Sequence, residues 1–173
     1  MKKYIGAICS ALTGGLMFLF LSLSWISKQT IKGGAVSETN GYLNGYEMLK
    51  EQITNMKGDV VQGYMLYRVS AIIIIVVASL LLLSAVVIIL KNLKVFKTKI
   101  NLVLINNAIL LAAVVCAILC LVATNQINGQ LFEVLVGGYG TQYVVDVGAW
   151  LPVAVSAVLG VASWLTFKMQ KSK

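Results

Sequence analysis

The sequence predicts an all-α integral membrane protein, a bundle of four transmembrane helices with both termini in the cytoplasm and a short extracytoplasmic amphipathic helix in the first outer loop. Three observations predict it. Of the 173 residues, 59% are hydrophobic and 12% charged, where an average soluble domain has roughly 45–50% and about 25%. The mean hydropathy of +0.89 leaves more apolar surface than a core of this size can hide. Four stretches, 4–26, 69–90, 102–123 and 147–167, contain no Asp, Glu, Lys or Arg. About 20 helical residues cross a hydrocarbon core of about 30 Å, so each stretch is long enough to span, and 1–173 reads as one four-span domain. A barrel strand would alternate in polarity and none of these does, while a helix satisfies its own backbone in lipid.

Charge sets the orientation. Lys2 and Lys3, the connection 91–101 with Lys91, Lys94, Lys97 and Lys99, and the tail with Lys168, Lys171 and Lys173 hold nine basic residues and no acidic one. The connections 27–68 and 124–146 together hold five basic and six acidic residues. The positive-inside rule therefore puts the Lys-rich segments in the cytoplasm, in a plasma membrane that the Lys-, Ile- and Asn-rich composition suggests is bacterial. The net charge of +8 reports topology first and attraction to anionic lipid second. A basic footprint split over three short juxtamembrane segments argues against a nucleic-acid partner.

The first span opens with Lys2 and Lys3, but its apolar stretch exceeds the 7–15 residues of a signal-peptide core, so it is expected to be retained. Gly6, Ser10 and Gly14 recur on it every four residues, a strip of small side chains that lets membrane helices approach closely. The fourth span repeats the device with Gly148, Ser156 and Gly160, and the two spans are expected to lie against each other or against a partner. The second span is almost wholly Ile, Val and Leu and is expected to face lipid most. On the third, Asn106 and Asn107 are candidates for inter-helix bonds or for a polar lining. They point about 100° apart, so they do not both face one neighbour.

The first outer connection carries Asn44 and Glu47 in capping-box spacing, followed by Tyr46, Leu49, Ile53 and Met56 at helical spacing. This predicts an amphipathic helix over 45–57 whose apolar stripe packs on the span ends or serves as a partner face. Gly33-Gly34 and Asn40-Gly41 read as turns. Trp25, Tyr64, Tyr67 and Trp150 read as an outer aromatic belt, with Trp164 inside. Gly137-Gly138-Tyr139-Gly140 resembles a potassium-channel filter, but Val136-Gly137-Gly138 interrupts the pattern, and a flexible glycine turn is the expectation. Asp146 reads as a charge at the N-terminus of the fourth helix.

Catalysis in lipid needs ionisable groups. With no His in the chain and no carboxylate inside a span, proton relays, carboxylate pairs and His-ligated metals lack their parts, so neither an enzyme nor a cofactor is expected. Cys9, Cys116 and Cys120 all lie in spans and read as small apolar residues. The layout is similar to that of claudin-like tetraspan proteins. The resemblance covers the whole chain but is one of layout, with Trp25 the possible counterpart of the claudin tryptophan and the claudin cysteine pair absent. The expected function is a non-catalytic interaction, scaffold or accessory subunit that binds another membrane protein or a second copy. A small transporter or channel component acting as an oligomer is the alternative.

Overall fold

A long run of apolar residues without charge or strand-like alternation can satisfy its whole backbone by intrahelical hydrogen bonding. The computed structural model accordingly holds four long helices, α1 (Ile5–Ser22), α3 (Tyr64–Asn92), α4 (Leu102–Gln130) and α5 (Val147–Lys171), and one short helix, α2 (Glu47–Lys50). It describes residues 4–50, 59–61, 64–95, 97, 100–131, 133–134 and 139–171. The four long helices are each long and apolar enough to cross a membrane.

The expectation of an all-α chain is corrected by a four-stranded antiparallel sheet: β1 (Ser24–Lys32), β2 (Ala35–Asn44), β3 (Glu133–Val134) and β4 (Tyr139–Val145), in spatial order β2-β1-β4-β3. β1 and β2 form a hairpin about Gly33 and Gly34, whose φ angles of 60° and 81° are the left-handed values that a tight two-residue hairpin loop requires and glycine tolerates. Asn40 and Gly41 are therefore not a turn; they pair with Lys28 and Ser27 inside the ladder. β4 pairs with β1 over seven residues, Ile26 opposite Val145 through Lys32 opposite Tyr139, and Gln142 Nε2 donates to Gln29 Oε1 at 2.7 Å across that register.

The sheet shortens the first span. The uncharged stretch runs to Ile26, but α1 ends at Ser22 and the chain enters β1 at Ser24. In the opposite sense α4, the third span, outruns its expected end at Ala123 and continues to Gln130. The second span, expected to face lipid most, is not the least buried of the four: a third of its most apolar window is buried (33%), against 22% for the third span. Ile, Val and Leu pack against protein as readily as against lipid tails, so composition alone does not rank the two.

The chain divides into two compact units. One comprises residues 1–18, 73–117 and 152–173, and is made of segments of α1, α3, α4 and α5. The other comprises 19–72 and 118–151 and carries the sheet, α2 and the remaining turns of the long helices.

Candidate functional site

In the first unit, Asn106 is fully buried, and its amide ties three helices together. Its Oδ1 accepts from Ser10 Oγ of α1 at 2.6 Å and lies 2.6 Å from Ser84 Oγ of α3, while its Nδ2 donates to the Gly6 carbonyl of α1 at 3.3 Å. Asn107, one residue on and about 100° around the helix, turns to the remaining helix: its Oδ1 accepts from Ser163 Oγ of α5 at 2.6 Å. Two adjacent amides thus reach all three neighbouring helices because they diverge.

The small residues let the backbones come close enough for these bonds. A Cβ placed on Gly6 would sit 3.7 Å from Ser163 Oγ and 3.8 Å from Asn106 Nδ2, so α1 and α5 approach each other at this point. Gly14 goes elsewhere: its Cβ would stand 2.8 Å from the Ala78 carbonyl oxygen of α3. The strip Gly6, Ser10, Gly14 therefore faces α5, α4 and α3 in turn and is not a single seam. Gly160 of α5 faces Val114 of α4, with 3.9 Å available to a Cβ, and Ser156 is fully buried with its Oγ unpaired among the described residues.

Between α4 and α5 of this unit runs a groove of about 540 Å³. Leu104, Leu111 and Val114 form one wall, Gly160, Val161 and Trp164 the other, and Asn107 lies along it. Leu104, Leu111, Val161 and Trp164 are all exposed.

In the second unit the aromatic belt needs correction. Trp25, Tyr64 and Tyr67 are buried, each at 2% exposure or less, while Trp150, the fourth of the set, is exposed. Trp25 Nε1 donates to the Phe20 carbonyl at 2.8 Å, supplying a partner to one of the carbonyls that every helix leaves open at its C-terminus. Its ring meets Tyr67 edge-on, 5.6 Å between centroids at 79°, an arrangement that adds about 0.5–1.5 kcal/mol to simple burial. The tryptophan fastens the end of α1 to the start of β1 instead of marking an interface.

The same corner holds Asp146. Its backbone N–H donates to the Trp25 carbonyl at 2.8 Å and its carbonyl accepts from Ala149 N–H at 3.0 Å. The carboxylate takes the Val147 N–H at 2.6 Å on Oδ1 and the Ser27 hydroxyl on Oδ2. Asp146 is the cap of α5, joined across the sheet to β1. Asp146→Ala is expected to lower stability by about 1–2 kcal/mol, while Asp146→Asn, which still offers an oxygen, loses a few tenths; thermal unfolding of the two variants in detergent measures the difference.

The nearest neighbours of Gly148 belong to a strand. A Cβ on it would stand 2.5 Å from the Ser24 carbonyl oxygen and 2.7 Å from Trp25 Cδ1. It thus admits β1 and not the first span, because α1 has already ended. At the same open end of the hairpin, where Asn44 pairs with Ser24, Asn44 Oδ1 accepts from Tyr46 N–H at 3.0 Å and Glu47 N–H at 2.9 Å. Glu47 Oε2 accepts from Asn44 N–H at 2.7 Å, a reciprocal capping box. Tyr46 and Leu49 are half-buried, while Ile53 and Met56 lie outside the described residues, so the partner face is described only in its first turn. Tyr139 and Gly140 belong to β4 and pair with Lys32 and Ile31; their backbone serves a sheet ladder.

Compared with known proteins, the chain matches no family model and no curated sequence.

Proposed function

We propose that this protein is a non-catalytic subunit or scaffold of the plasma membrane, spanning it four times with both termini in the cytoplasm, and that it acts by binding another membrane protein or a second copy of itself. The observation that carries the reading is the use made of Asn106 and Asn107. Polar groups inside lipid either line a path or hold helices together, and both amides are engaged across helices, with Ser10, the Gly6 carbonyl and Ser163 as partners. The charge-free spans support the same reading. On this topology the sheet and α2 are extracytoplasmic, with β2 as a largely exposed edge strand among the described residues, and an edge strand is the usual means by which an extended segment is recognised.

Two measurements test it. Liposomes containing only this chain should show no solute flux above protein-free controls, and native mass analysis of the chain extracted with its lipids should show a stoichiometric foreign membrane protein or a self-complex without flux. A closed homo-oligomer whose flux depends on this chain overturns the reading in favour of a transporter or channel component. Topology is tested separately. A cysteine at Thr39, exposed in β2, should react with an impermeant thiol reagent in intact cells, and one at Lys94 should be shielded until the membrane is opened.

A further inference from the structure

The groove between α4 and α5 has three properties that a general lipid-facing surface lacks. The first is its length. On α4 it runs from Leu104 to Val114, ten residues or about 15 Å of helix, which is half of a hydrocarbon core of about 30 Å. It starts two residues from the first residue of α4 and so occupies a single leaflet, on the side of the Lys-rich connection. A partner helix would run the full thickness; one acyl chain would not.

The second property is charge. The α5 wall of the groove follows positions 157, 160, 161 and 164, and the same three-and-four spacing continues along one helical face to 168 and 171, both lysines within α5. The apolar track therefore ends at two cationic positions, while Lys91 lies in the last turn of α3 and Lys94 and Lys97 follow in the connection to α4. The third is a hydrogen-bond donor at the wall. Asn107 accepts the Ser163 hydroxyl on its Oδ1, and among the described residues its Nδ2 donates to nothing, which leaves an amide N–H for a carbonyl of whatever fills the groove.

We propose that this groove seats one acyl chain of an anionic phospholipid, with the lipid phosphate at the Lys168 and Lys171 positions and a glycerol ester at Asn107. The inference rests on the membrane-spanning reading above, which the labelling experiment tests independently, and not on the subunit role.

The test is native mass spectrometry of the chain in mild detergent, titrated with phosphatidylglycerol and phosphatidylcholine carrying identical acyl chains. The wild type should retain phosphatidylglycerol preferentially. K168Q/K171Q should reduce that preference by about fivefold per lysine and leave phosphatidylcholine retention unchanged. Gly160→Leu should lower retention of both lipids, because a larger side chain fills the groove where a Cβ has ordinary contact distance to Val114. Equal retention of the two lipids by the wild type overturns the proposal. So does unaltered retention by Gly160→Leu, or a dimer in the wild type that this substitution dissolves, which would make a second copy the occupant. Should Gly160→Leu fail to fold, the lysine variant, whose positions lie beyond the groove, decides alone.

Discussion

Replacing Gly148 by alanine is expected to cost about 3 kcal/mol or more, enough to remove most of the folded protein from a detergent extract. The new methyl would stand 2.5 Å from the Ser24 carbonyl oxygen and 2.9 Å from its carbon, and these are backbone atoms at the first residue of a strand. They do not yield as a side chain would. Moving them away would disturb the Trp25 indole, which closes the end of α1 through the Phe20 carbonyl, and the bond from Asp146 N–H to the Trp25 carbonyl. The comparison that isolates the effect is Gly160→Ala in the same helix, where a Cβ meets nothing nearer than 3.9 Å. That variant should be neutral or slightly stabilising, since alanine is the better helix former. Thermal unfolding of the pair, followed by tryptophan fluorescence, checks both; equal midpoints would show that the α5–β1 contact is not tight.

Asn106→Leu is the second large effect. The side chain is fully buried, and its removal takes away bonds to Ser10 and the Gly6 carbonyl and the close contact with Ser84. Inter-helix hydrogen bonds in membranes are worth about 0.6 kcal/mol on average and up to about 1.7. With two or three lost together and a branched side chain forced into an amide-shaped space, about 2–3 kcal/mol is expected. Asn107→Leu removes one bond from a half-buried position and should cost under about 1 kcal/mol. Unfolding by a denaturing detergent ranks the two. If Asn107→Leu proved the more damaging, the buried amide would not be what ties the helices together.

The sheet was legible in part. Gly33-Gly34 separates two runs containing Trp, Ile, Thr and Val, which is a hairpin signal, and Thr141, Tyr143 and Val145 alternate with Gln142 and Val144. Two things hid it. The apolar Ser-Trp-Ile that opens β1 directly follows a span and reads as more of it, and seven consecutive residues of β2 from Ala35 are exposed, so that strand has no inner face to impose an alternation. The pairing of β1 with β4 joins residues more than a hundred positions apart, and no local pattern encodes that. The burial of Trp25 and Tyr67 is hidden for the same reason, since an amphipathic ring suits a membrane interface and a buried contact equally well until its neighbours are known.

Chain composition alone settles that there are four apolar helices, roughly where they lie, and that Asn44 and Glu47 begin a short one, because burial in lipid and capping are local demands written within about 20 residues. It also sets Asn106 and Asn107 on different faces, since helix geometry requires it. Which helix each amide reaches, that Gly14 meets α3 and Gly148 meets a strand, that α1 stops at Ser22 and that Trp25 is buried all depend on contacts between distant segments. Packing in three dimensions decides these, because a small or aromatic residue carries no mark of the surface that will approach it.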